Sequence, residues 1–185
     1  MTPNQNSNID QVLNLILRYA YSEAQLVKRM SVLKEFFESL YVVQNEDHTY
    51  QTTLEEISQD QEHSQMDTQL IEVIYTQYSS LFTKDSFYEV LENLKKALLT
   101  CPVIHLYIPS YLNDDSLEKI GKWLRLNLSP QIIMKISIRP ELVVGCGIGW
   151  NNKYHEISFR TKIDSQKQKI ISFLNSYESK TNSLS

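Results

Sequence analysis

Between Pro3 and Pro102 this 185-residue chain has neither a glycine nor a proline. Those two residues break helices and shape tight turns. Their absence from almost a hundred positions, in a stretch where Leu, Glu, Gln and Lys are common, predicts helix after helix. Long apolar runs are missing as well, and none approaches the roughly 20 residues that a membrane-spanning helix needs. The opening MTPNQNSNID has no basic region and no apolar run, so it does not read as a secretory signal. Cysteine is scarce: Cys101 and Cys146 stand alone, without C-x-x-C spacing, and read as small buried apolar residues in a reducing, cytosolic compartment.

Patterns that carry chemistry are missing too. His48, His63, His105 and His155 are scattered, and none has a second His or Cys at metal-ligand spacing on a shared face. His155 and Glu156 are neighbours in an alternating segment, so they point to opposite faces and cannot act jointly. Ser158 and Ser165 lack a nucleophile elbow. The acidic stretch Glu55–Glu62 lacks the oxygen spacing and central glycine of a calcium loop and reads as a solvated face. The expectation is no catalytic residue, no cofactor and no metal.

What is present is ordinary in bulk: 42% hydrophobic and 22% charged residues, as in soluble globular proteins. The formal charge of −4 gives no general reason to expect nucleic acid or an anionic membrane as partner. It is unevenly split, however. Residues 1–100 carry 7 Lys and Arg against 15 Asp and Glu, net −8, whereas residues 101–185 carry 11 against 7, net +4. That asymmetry suggests two parts in different surroundings.

Periodicity fills in the elements. Leu13, Ile16, Ala20, Ala24, Val27, Met30, Leu33, Phe37 and Leu40 recur at steps of three or four, predicting one long helix from Asp10 to Val43. Polar residues 44–51 end it. Residues 52–65 read as a loop or a weakly held helix. A second firm helix is expected over Asp67–Phe82, and a third from Asp85, where Ser86 and Glu89 have capping-box spacing. Beyond Thr100 the period changes. Val103–Pro109 and Gln131–Ile138 read as strands around an amphipathic helix, Asn113–Asn127, with Leu117, Ile120, Leu124 and Leu128 on its apolar face. Leu142–Trp150 and Lys153–Lys162 read as a hairpin about Asn151-Asn152, since Asn tolerates the positive φ of such turns. A polar helix over Asp164–Tyr177 closes the chain. The predicted class is α+β: an all-helical domain, 1–100, then a β-α-β-β-α domain, 101–185.

Three of the four glycines fall at 145, 147 and 149. A dinucleotide loop needs G-x-G-x-x-G followed by a helix, and a Walker loop ends in Gly-Lys-Ser or Gly-Lys-Thr. Here the spacing is G-x-G-x-G and the following WNNKYHEISF alternates. The glycines therefore share one face of a strand, with Cys146 and Ile148 on the other, and leave room for a large side chain or another backbone to pack closely.

Pro140 to Ile163, PELVVGCGIGWNNKYHEISFRTKI, resembles the C-terminal signature of the delta subunit of rotary F-type ATP synthases, known in mitochondria as the oligomycin sensitivity-conferring protein. Pro140, Leu142 and Val143 stand at the opening and Gly145 at the family's second glycine. Ile148 takes the next fixed apolar position, Asn151 replaces the turn glycine, and Glu156 stands for the acid. Ser158, Phe159 and Arg160 close the match. Val144 departs from the family's first glycine and Ile157 from a small residue. The resemblance covers 103–177, while residues 1–100 share with the family only their helical character. It implies a non-catalytic stator: the helical domain binds the alpha subunits of the catalytic head and the second domain binds the b subunits of the peripheral stalk. The complex sits on the cytoplasmic face of the cell inner membrane, so the chain meets the membrane only indirectly. Contact residues are expected among exposed apolar positions of the first helix: Leu13, Ile16, Ala20, Ala24 and Val27. A second reading is RNA binding through the basic residues Lys119, Lys122, Arg125, Lys135, Arg139, Arg160 and Lys162, with Tyr107 and Trp150 for base stacking.

Overall fold

In the computed structural model, which describes residues 3–42, 49–60, 63–142, 144–158 and five positions between 166 and 172, the chain is α+β. Helices α1 (Pro3–Arg18), α2 (Glu23–Tyr41), α3 (Tyr50–Gln59), α4 (Gln65–Tyr78) and α5 (Phe87–Thr100) come first. Then follow strand β1 (Val103–Ile108), helix α6 (Asp114–Asn127), strand β2 (Ile133–Ile138) and a single 3-10 turn (Pro140–Leu142). Strands β3 (Gly145–Trp150) and β4 (Lys153–Ser158) complete the sheet, in the order β2-β1-β3-β4. The expected closing helix over Asp164–Tyr177 lies outside the described residues, save for five helical positions.

Two compact units result: Met1–Val103 with Asp114–Met134, and Ile104–Asn113 with Lys135–Ser185. A boundary at residue 100 would put α6 with the strands, but α6 belongs to the first unit. Its attachment there is specific. Arg125 donates to the carbonyl of Leu17, to that of Ala20 at 2.6 Å and to that of Ile132 at 3.3 Å, and its guanidinium lies 4.5 Å over the Tyr21 ring. The Leu17 and Ala20 carbonyls lie in and just beyond the last turn of α1, where no following helical N–H reaches them, so the cation satisfies these acceptors. One turn earlier on α6, a Cβ at Gly121 would come within 2.6 Å of the Tyr21 Cβ. That atom is fixed to the backbone, so relief requires the helix to move. Gly121→Val is therefore expected to cost about 1–3 kcal/mol of stability, read as a lowered urea midpoint; an unchanged midpoint would show that α6 does not depend on this close approach.

The predicted long helix from Asp10 to Val43 is in fact two. Ser22 adopts an extended backbone, accepts from the Gln25 N–H at 3.3 Å, and donates its own N–H to Gln25 Oε1 at 3.2 Å. This reciprocal box starts α2 and ends any continuity with α1. The freed Tyr21 carbonyl accepts from the Met134 N–H at 2.9 Å, making a parallel bridge between Ser22 and Met134. The apolar stripe runs on across the break because α1 and α2 face the same core. One further expectation is resolved and another corrected. Residues 50–59 form the full helix α3, opened by Thr49 and anchored by buried Thr53 and Ile57. Ser86 makes no side-chain cap onto α5; its hydroxyl accepts from the Thr83 N–H at 3.1 Å and donates to the Leu81 carbonyl at 2.8 Å.

The core of the first unit is aromatic. Phe36, Phe37, Phe82 and Phe87 are fully buried, Phe37 stacks on Phe82 at 4.5 Å, and Tyr50 stacks on Tyr75 at 4.1 Å. Each such side chain contributes about 1.5–3 kcal/mol through burial. Leu13, Ile16 and Ala20 belong to this core. They are not exposed, as the sequence reading had expected. Leu124 of α6 is buried, but Leu128, just past the end of the helix, is exposed.

In the second unit β1 runs antiparallel to β3, pairing His105 with Gly149, Leu106 with Ile148 and Tyr107 with Gly147. Chain direction in β2 follows from two bonds six residues apart on each strand: Ile133 N–H to Pro102 O and Arg139 N–H to Ile108 O. Advancing together, they make β1 and β2 parallel. The β3–β4 hairpin turns on Asn151 (φ 49°) and Asn152 (φ 59°), both left-handed, as a tight two-residue turn requires.

Candidate partner-docking surfaces

Within the first unit, α2 and α5 flank an open apolar cavity of about 520 Å³. Leu26, Met30 and Ile133 form its buried floor, and Val27, Leu98, Leu99 and Val103 its walls. Two wall residues are conspicuously bare: Val27 is 66% exposed and Leu99 is 85% exposed. Lys34 and Lys95 stand on the rim, each held by an acid on its own helix, Glu38 at 3.6 Å and Glu92 at 2.7 Å. Such a trough suits the apolar face of an amphipathic helix, entered as side-chain anchors one turn apart. Of the five contact positions expected on the first helix, only Ala24 and Val27 are exposed, and Val27 lines the trough. Leu99 was missed because it lies off the stripe that periodicity assigns to the core of α5.

The second unit presents the glycine strand. Gly147 pairs with Glu156 and Gly149 with Tyr154 across the hairpin. A Cβ at Gly147 would meet the Tyr154 hydroxyl at 2.6 Å and its ring at 2.9 Å; at Gly149 it would meet the His105 Cβ at 3.3 Å. The expected large side chain over the bare face is thus Tyr154. Its ring meets Tyr107 edge-on at 5.5 Å, and Arg139 covers Tyr107 at 4.4 Å. Pro140 and Leu142 lie in the 3-10 turn, with Leu142 buried, Ile148 half-buried on the opposite strand face, and Ser158 ending β4. Phe159 and Arg160 lie outside the described residues.

Among the other residues singled out, His105 and His155 stand apart in β1 and β4, with His155 exposed. Cys101 is buried, which pushes its thiol pKa up against the opposing pull of Arg125; Cys146 is only half-buried, not fully as expected. The basic residues divide between the units, and Arg125 spends its guanidinium on backbone carbonyls. No local pattern points to the buried pair Arg29 and Asp67, nor to the meeting of Glu35, Asp60 and His63, because each joins different helices or turns. Among the described residues, no helix is long and apolar enough to cross a membrane. Compared with protein-family models and with curated proteins, the chain matches neither.

Proposed function

We propose that this protein is a stator subunit of a rotary F-type ATP synthase, of the delta and oligomycin sensitivity-conferring type, joining the alpha subunits of the head to the b subunits of the stalk. The reading rests on one observation above others. Within the segment that resembles the family signature, Gly145–Ser158 folds as a glycine-faced hairpin turning at Asn151, the position where the family has its turn glycine. The helical unit adds an apolar trough open to the side chains of a partner helix. In this role the chain does no chemistry. It transmits force by holding partners, and it works on the cytoplasmic face of the inner membrane as a peripheral part of the complex.

The alpha-subunit N-terminal helix is the occupant proposed for the α2–α5 trough. Acidic residues beside its apolar stripe would face Lys34 and Lys95. Fluorescence anisotropy of a labelled peptide of that helix, titrated with the full chain, tests this. Saturable binding is expected, weakening as salt rises; no binding at any salt would remove the trough from the proposal.

A further inference from the structure

Three side chains outside the trough lining converge from separate elements. Glu35 lies on α2, Asp60 ends α3, and His63 leads into α4 with its backbone N–H donating to the Asp60 carbonyl at 3.1 Å. We propose that Glu35, Asp60 and His63 bind a divalent transition-metal ion of the zinc class.

Geometry carries this. One ligand atom from each residue lies within 4.8 Å of the other two. His63 Nε2 is 3.6 Å from Glu35 Oε2, and Nδ1 is 3.4 Å from Asp60 Oδ2. Zinc bonds of about 2.0–2.2 Å in a tetrahedron hold ligand atoms roughly 3.3–3.6 Å apart; whichever ring nitrogen binds, one carboxylate already stands at that distance from it and the other closes from within 4.8 Å. The second observation is the imidazole itself. Its side chain is only 8% exposed, and Nδ1 is buried with no hydrogen-bond partner among the described residues. Buried polar atoms are nearly always satisfied. An ion gives Nδ1 the bond that Asp60 Oδ2, close at 3.4 Å but outside hydrogen-bond geometry, does not.

The donor set selects the ion. One imidazole nitrogen with two carboxylate oxygens suits zinc and its neighbours, whereas calcium and magnesium prefer all-oxygen shells. Glu35 and Asp60 are 58% and 45% exposed, so solvent reaches the site and water completes the tetrahedron. Because the ligands come from α2, the end of α3 and the entry to α4, a bound ion ties three elements together. Sequence spacing concealed the set: its members are 25 and 3 positions apart, on no common helix face.

Calorimetric titration of the chelator-treated full chain with Zn²⁺ tests the assignment, with Mg²⁺ as comparison. One-to-one zinc binding is expected, with at least a tenfold preference over Mg²⁺. It should vanish in His63→Ala and weaken at least tenfold in Glu35→Gln, whose exposed site leaves the helical circular dichroism unchanged. Co²⁺ should give the visible absorption of a four-coordinate site in the wild type only. No zinc binding, or binding unaffected by Glu35→Gln, overturns the proposal and leaves a histidine lying between two carboxylates.

Discussion

Asp67→Ala is expected to destabilise the helical unit by roughly 3–5 kcal/mol, enough to unfold many domains of this size. Asp67 is fully buried in the first turn of α4, and Arg29 of α2 is 6% exposed beside it. The carboxylate accepts from the Ser64 N–H at 2.7 Å and the Ser64 hydroxyl at 2.8 Å, and it pairs with Arg29; Lys28 lies 3.9 Å away. Arg29 in turn donates to the Tyr19 carbonyl at 3.3 Å and the Ser64 hydroxyl at 3.2 Å. One ion pair therefore joins α2, the entry to α4 and the end of α1. Truncating Asp67 leaves a buried guanidinium without its counter-charge. That stranded charge, rather than the worth of the pair itself, sets the size of the effect.

The same carboxylate has a pH signature. Burial pushes its pKa up, but the Ser64 hydrogen bonds and the Arg29 charge together outweigh that and hold it below the ordinary value. A group whose folded pKa is depressed contributes stability above its unfolded pKa and loses it as pH falls through the folded one. The wild-type advantage over Asp67→Ala should thus be complete at neutral pH and shrink on acidification below about pH 4. Urea unfolding followed by circular dichroism at several pH values measures it. Equal midpoints at neutral pH would contradict the account of this pair.

Val27→Asp with Leu99→Asp is expected to abolish docking in the α2–α5 trough while leaving the fold intact. Both side chains are already largely in water, so folding gains little from them and loses little by their replacement. Docking is different. A partner helix seated on these walls would have to bury two carboxylates against its apolar face, at a cost of about 2 kcal/mol or more each. Together that is on the order of a thousandfold in affinity. Peptide anisotropy with the double variant checks it, with circular dichroism as the folding control. Undiminished binding would move the docking surface elsewhere.

The sequence made the class legible and left the joints obscure. Glycine and proline segregation separated helices from strands correctly, and Asn151-Asn152 announced its hairpin. The break between α1 and α2 could have been found in Ser22 and Gln25, whose spacing is a capping box, but the stripe through Ala20 and Ala24 hid it. Leu13, Ile16 and Ala20 looked available to a partner because an amphipathic stripe reads the same whether it faces a core or another chain. α6 was assigned to the strand domain by its neighbours in sequence, whereas Gly121 and Arg125 hold it to the α1–α2 break. Contacts between residues more than a hundred positions apart leave no local pattern.

The stator reading is tested most directly by isolating the intact ATP synthase from the cells that make this chain and identifying its subunits by mass spectrometry. The account predicts this chain in the complex, together with the alpha and b subunits. A complete, coupled ATP synthase that lacks it would contradict the account.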